Sequence, residues 1–247
     1  MTPILQTVFP PDMMTKRALP GIAPVQGGIL YVDDAYSGQM DQRRKLLATR
    51  RDKVLRLLPE GQGAALEVLQ WGLTQLPALG YTVTPDTVLC PDGHLEPIDF
   101  ADPLATLGRV CQADFCILQA GAQNEHVMTG AVLCFPASWT LSEKIGRSLT
   151  GIHTPVKEYD DNIARRVQRL FDGVQVGRPV WRFNQLWYVD AQLHQPRSET
   201  DKRVVPEKAE AANFMRTERQ IMMRLPESRA VVFIIHTYIF ARENVPE

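Results

Sequence analysis

The chain has 247 residues and a mass of 27.8 kDa, enough to bury a substantial core as one large domain. A hydrophobic fraction of 45% and a charged fraction of 22% exclude a disordered or fibrous chain, and a formal net charge of -1 supplies no global attraction for nucleic acid. No apolar run is long enough to span a bilayer, and the start Met1-Thr-Pro-Ile-Leu5 lacks the basic and apolar blocks of a secretory signal, so a cytoplasmic location is expected.

Residues 1–29 carry repeated Pro and Gly without periodicity and predict an arm laid over the surface. Ile29-Leu30-Tyr31-Val32 predicts a short edge strand. From about Gln39 to Leu58, Met40, Leu47, Val54 and Leu58 fall on one helical stripe. Arg43, Arg44, Lys45, Arg50, Arg51, Lys53 and Arg56 crowd the rest of that helix. They read either as a solvated face or as a docking patch for an acidic, electron-donating partner, since complementary charge raises encounter rates. No aromatic interleaving accompanies the charge, which speaks against nucleic acid. A second helix from about Ala64 to Leu76, with Leu66, Leu69, Leu73 and Leu76 at core spacing, is expected to pack on the first.

Between Tyr81 and Pro103 the chain turns Pro-, Asp- and Gly-rich, which predicts loop with at most one strand at Thr84–Cys90. A short helix is expected at about Pro103–Cys111, then strands at Phe115–Gln119 and His126–Phe135 joined by residues 120–125. The apolar run ends at Phe135-Pro136. A short helix with Ser142 as its cap should follow, and the segment closes on His153, held between Ile152 and the restricting Thr154-Pro155. Tyr159 to Val174 predicts an amphipathic helix with Ile163, Val167, Leu170, Phe171 and Val174 on one side and Arg165, Arg166 and Arg169 on the other; Asp160 and Asp161 suit its first turn. Pro179 to Val189 alternates as a strand, with Arg182 and Asn184 sharing a face opposite Trp181, Phe183, Gln185 and Trp187. After a charged loop, Gln195–Glu207, two strands close the chain: Asn213–Arg224, with Arg216, Glu218 and Gln220 on one face, and Arg229–Phe240, with His236 and Tyr238 beside Val232 and Ile234. The sum is a single α+β domain, with a helical N-terminal region over about residues 1–80 leading into an antiparallel sheet of five or six strands.

Four cysteines, Cys90, Cys111, Cys116 and Cys134, match no CxxC pair or zinc ribbon; Cys116 and Cys134 sit in apolar strand-like runs as small hydrophobes. HExxH, GxSxG, Walker A and GxGxxG patterns are absent. Of five histidines, His94 and His126 read as surface residues, His194 as a turn residue and His236 as a core residue, and His153 is the best-presented candidate for a single axial ligand, as haem iron would need.

Several ordered motifs carry a resemblance: Cys134-Phe-Pro-x-x-Trp139, Glu143-Lys-x-Gly146, Ile152-His-x-Pro-Val156, Pro179-Val-Trp-Arg-x-Asn184, Arg216-x-Glu-Arg-Gln220, Arg224-Leu-Pro226 and His236-Thr-Tyr238, with Asp34-x-Tyr36 and Gln42-Arg-Arg44 upstream. Together they resemble the haem-dependent oxidative N-demethylase family. The resemblance implies a PAS-like haem b subunit, a monooxygenase that takes O2 and electrons from a separate NADPH-dependent reductase carrying flavin and an iron–sulfur cluster. It implies a small methylated amine such as dimethylamine as substrate and formaldehyde as product; a non-catalytic haem-binding or sensing PAS-like module is the alternative. On this reading His153 is the proximal metal ligand, Arg182 and Asn184 meet a haem propionate or orient the pocket, and Arg216, Glu218 and Arg219 are the distal or substrate-side groups. Two positions depart from the expected pattern: Gln185 replaces a Trp, and His236 replaces a basic residue, as a second ligand if that position faces the haem.

Overall fold

The computed structural model describes residues 2–14, 21–121, 125–153, 161–201 and 212–246. Helices dominate the first half. Helix α1 (Tyr36–Thr49) buries Met40 and Leu47, and α3 (Gln62–Gln75) buries Val68 and Leu69. Both pack on α4 (Pro103–Val110), which opens with Pro103 at a position where the missing N–H costs no helical hydrogen bond. Full burial of Leu69, Leu104 and Leu107 stabilises this layer by about 1.5–3 kcal/mol each.

The helix predicted from Gln39 to Leu58 breaks at Arg50. A single turn, α2 (Arg51–Val54), follows, and then strand β2 (Leu55–Leu57). A sheet edge captures these residues: Leu55 pairs with Val132 and Leu57 with Gly130, and tertiary pairing outweighs a weak local helix preference. Arg43 does not join a solvated basic face. It is fully buried and donates to the Asp114 carboxylate at 2.6 Å and to the carbonyls of Ala113 and Gly108. Arg44 is tied to Asp92 and Glu96, which leaves Lys45, Arg50, Arg51 and Lys53 exposed.

Among the described residues, seven strands form one antiparallel sheet. Besides β2 they are β1 (Ala23–Pro24), β6 (Asp114–Ala120), β7 (His126–Val132), β8 (Val180–Tyr188), β9 (Phe214–Arg224) and β10 (Val231–Ala241), in the order β1-β8-β9-β10-β6-β7-β2. Seven is one more than the upper end of the predicted five or six, and the two strands not predicted, β1 and β2, are the edges. Ala23–Pro24 takes the outer position, while Ile29–Val32 forms no strand. Strands β3 (Thr82–Val83), β4 (Thr87–Leu89) and β5 (Leu95–Pro97) make a second, three-stranded sheet where loop with at most one strand, at Thr84–Cys90, was expected; β4 lies within that predicted strand. Runs of two or three residues are too short to display a period of two.

The large sheet is buried on both faces. On β6, Phe115 and Ile117 join the core beneath α1, α3 and α4, whereas Cys116 and Leu118 join a second apolar cluster covered by α5 (Leu149–His153) and α6 (Asp161–Gly173). Most described residues of the N-terminal arm are exposed or half-buried, as expected of an arm laid over the surface, but two of its side chains anchor it in the interior. Gln6 and Met13 are fully buried, and the Gln6 side chain accepts from the Ile239 amide at 2.8 Å. Before α5, a 3-10 turn (Leu141–Glu143) is preceded by Thr140, whose hydroxyl donates to Glu143 at 2.6 Å; Ser142 lies inside the turn, not at its cap. Thr154, Pro155 and residues 159–160 lie outside the described residues, as does the predicted stiffening of His153 by Pro155.

Candidate functional site

Strand alternation decides what the second face of the sheet offers. Glu218, Gln220 and Met222 of β9 point to it, Arg182 and Asn184 of β8 stand opposite Gln220 and Glu218, and Phe233 and Ile235 of β10 stand opposite Met222 and Gln220. With Cys116 and Leu118 they floor a cavity of about 1280 Å³, whose other walls come from residues 137–144, α5, α6 and residues 197–201.

Glu218 is the most elaborately held polar group on the floor. Its carboxylate accepts from Asn184 Nδ2 at 3.0 Å, Gln220 Nε2 at 3.1 Å and Arg216 Nη2 at 3.3 Å, while Asn184 Oδ1 accepts the Glu218 amide at 3.0 Å. Arg216 does not itself line the cavity. It donates to the carbonyls of Leu193 and Phe135 and so ties two neighbouring segments to the Glu218 carboxylate. Arg182 is the contrasting case. Its guanidinium has no acidic partner and its buried Nε has no hydrogen-bond acceptor among the described residues, and burial lowers its pKa from the ordinary value. Such a group is suited to an anion. Arg166 and Arg169 of α6 also line the cavity without a carboxylate partner among the described residues.

His153 ends α5 at the cavity wall. Its Nδ1 lies 2.8 Å from the Leu149 carbonyl, which only accepts, so the proton resides on Nδ1 and the lone pair on Nε2. Burial lowers the imidazole pKa and the Lys144 ammonium adds to that, outweighing the bond to Leu149. A neutral, tautomer-fixed imidazole with Nδ1–H on a backbone carbonyl is the usual condition of a metal-ligating histidine. Lys144 is buried as well, bonded to the Ile152 carbonyl at 2.6 Å and to Glu199 at 2.9 Å. Ser138, also on the wall, adopts a left-handed φ of 67° and buries a hydroxyl with no partner among the described residues.

The structure thus brings His153, Arg182, Asn184 and Glu218 to one cavity, with Arg216 behind Glu218. It does not bring Arg219 or His236 there. These two are cross-strand neighbours on the opposite face. Arg219 pairs with Asp12 at 2.5 Å and lies between the rings of Tyr31 and Trp181, and His236 Nε2 bonds Asp33 at 2.9 Å. Burial alone would raise the Asp33 carboxyl, but His236, Gln112 and Gln6 together hold its pKa below the ordinary value. The two departures from the expected motif both lie on that opposite face, since Gln185 donates to the Met13 carbonyl of the arm. His126 is buried under α6 rather than exposed, and His194 bonds the Cys134 carbonyl. Among the described residues, the group Asp41, Asp92 and His94 has its ligand atoms close enough for a metal ion, but none of the three lines the cavity and Asp92 is already engaged by Arg44.

Sequence reasoning passed over Gln220 and Lys144 as functional groups; Arg166 and Arg169 lie on the polar side of α6 as expected and are exposed, but they also reach the cavity rim. Gln220 had a legible signal, its period-two relation to Glu218. The α6 arginines had none, because amphipathicity alone does not distinguish a cavity rim from bulk water.

Fold and site together define an α+β protein with a half-open cavity that offers one imidazole, a partly apolar sheet surface and cations without a carboxylate partner among the described residues, suited to a flat anionic ligand beside a small polar one. A family model described as haem-dependent oxidative N-demethylase, alpha subunit-like, matches residues 26–247, and the chain belongs to that family.

Proposed function

We propose that the chain acts as one haem b-binding catalytic unit that demethylates a small methylated secondary amine of the dimethylamine kind. His153, at a cavity wall with its Nδ1 proton committed to Leu149, is the observation that carries the reading. The residues present fit haem. A cavity of about 1280 Å³ exceeds the roughly 300–1,000 Å³ typical of small-molecule sites, Cys116, Leu118, Met222, Phe233 and Ile235 make part of its floor apolar, and Arg182 presents a buried donor with no acceptor among the described residues for a propionate. His153 would ligate the iron, and Arg182, with Arg166 or Arg169, would hold the propionates.

Bound haem would supply the reductive activation of O2. In the net reaction the methyl carbon loses two electrons and leaves as formaldehyde with one oxygen atom. The other oxygen becomes water, using two electrons and two protons from outside. Those electrons would come from a separate NADPH-dependent reductase with flavin and an iron–sulfur cluster, a partner consistent with the alpha-subunit description of the family. Lys45, Arg50, Arg51 and Lys53 are the exposed remnant of the basic patch that such a partner would meet. Glu218 would hold the ammonium group of the amine, with Arg216, Asn184 and Gln220 fixing the carboxylate. A cytoplasmic location belongs to the same proposal; among the described residues no helix is long and apolar enough to cross a membrane.

The test is the visible absorption spectrum of the purified, haem-supplemented chain beside His153→Ala, followed by oxygen uptake of the reduced protein with dimethylamine. We expect a Soret band that the variant loses or shifts, and amine-dependent oxygen consumption with formaldehyde release. A colourless wild type overturns the haem reading. A Soret band with no amine-dependent consumption overturns the demethylase and indicates a haem-binding sensor module.

A further inference from the structure

Lysines normally extend their ammonium into water along an apolar stem. Lys144 does the reverse. It is only 5% exposed, and its Nζ donates to the Ile152 carbonyl at 2.6 Å and to Glu199 Oε1 at 2.9 Å. Ile152 directly precedes His153 in the last described turn of α5, and a cation is favourable near the C-terminal end of a helix. A buried ammonium is costly unless paired, and this one sits between the Ile152 carbonyl and the Glu199 carboxylate.

We propose that Lys144 is the positioning residue for His153: its ammonium clamps the last described turn of α5 and sets a fixed positive charge beside the imidazole, balanced by Glu199 on the cavity rim. The proposal rests on the haem reading above for the identity of the group that His153 serves. Glu199 is more than a counter-ion. It also accepts from Arg147 at 2.9 Å, and its own amide donates to the Glu143 carboxylate at 3.1 Å. Residues 197–201 of the rim and the imidazole-bearing helix therefore meet at one ammonium. The imidazole has its own tether, Nδ1 to Leu149, which fixes its rotation about the helix. The lysine fixes where that helix end lies. By Coulomb's law a positive charge near the iron favours the reduced state, and a negative one opposes it.

The two roles separate by sign. In haem-loaded protein, Lys144→Met should lower the iron reduction potential and speed haem loss, Glu199→Gln should raise the potential, and Lys144→Arg should return it towards the wild-type value. Shifts of the same sign in Lys144→Met and Glu199→Gln, or no shift in either, overturn the electrostatic role. Should Lys144→Met fail to fold, Lys144→Gln gives the same neutral comparison. In the haem-free protein, amide hydrogen exchange at Ile152 and His153 should quicken in Lys144→Met, and unchanged exchange overturns the clamp. A wild type that takes up no haem defeats the reading of the cavity, while the exchange result still judges the clamp on its own.

Discussion

Glu218 accepts hydrogen bonds from Asn184, Gln220 and Arg216, so both its oxygens are oriented before any amine arrives. Glu218→Gln keeps the shape and removes the charge that a substrate ammonium would meet. Hydrogen bonds to charged groups are worth about 1.5–3 kcal/mol, so kcat/KM for the amine should fall roughly ten- to a hundredfold, with the Soret band retained. Oxygen uptake at limiting amine measures the first and a spectrum the second. A Soret band lost along with activity would place Glu218 in cofactor retention instead. The contrast with Arg219 shows how far residue type alone reaches. Arg216 and Arg219 are both buried arginines on β9, but an offset of three residues puts them on opposite faces, one behind the cavity carboxylate and the other between Tyr31 and Trp181.

At the scale of elements, α6 closes the cavity, and its seat on the sheet includes His126 at the start of β7. The Gln168 side chain bonds both the His126 amide and its Nδ1, and Phe171 packs 5.5 Å from the imidazole. Burial lowers the His126 pKa and the nearby Arg224 charge adds to it, outweighing Asp172 and Gln168. The native state therefore binds this proton less readily than the unfolded chain, whose histidine titrates near about 6.5. The contribution is intact above that value and is lost as pH falls from there through the lower native pKa. Thermal melts should show Tm declining with acidification below about pH 6.5, and His126→Gln should flatten that part of the slope. An unchanged slope would show that His126 protonates without disturbing α6. Elements with a long period, such as α3, α6 and β8 to β10, were legible from apolar spacing. The sheet of β3 to β5 was legible only as one candidate strand around β4, because runs of two or three residues hold too few repeats to establish a period of two.

Across the whole molecule, buried polar groups connect the helical layer to the cavity. Arg43 of α1 bonds Asp114 of β6; Asp114 accepts the amides of Cys134 and Phe135; the Phe135 carbonyl accepts from Arg216, which reaches Glu218. Removing Arg43 leaves a carboxylate uncompensated in the core. Arg43→Met should cost about 3–5 kcal/mol of unfolding free energy, measured by urea denaturation. A loss under about 1 kcal/mol would mean that water or a shifted neighbour replaces the guanidinium. The sequence could not show this chain of contacts, since Arg43 stands among seven basic residues and only the fold turns it inward.

By itself the sequence determined the α+β class, the main helices and long strands, and which residues of each strand share a face: Arg182 with Asn184, and Glu218 with Gln220. These follow from local periodicity, which is a property of the chain alone. Only the tertiary structure decided which shared face meets the cavity. That depended on strand register and on which helices cover which side of the sheet, and it set His153, Lys144 and Glu218 around one space while turning Arg219 and His236 to the other. Packing partners far apart in sequence make that choice, and no window of the sequence contains them.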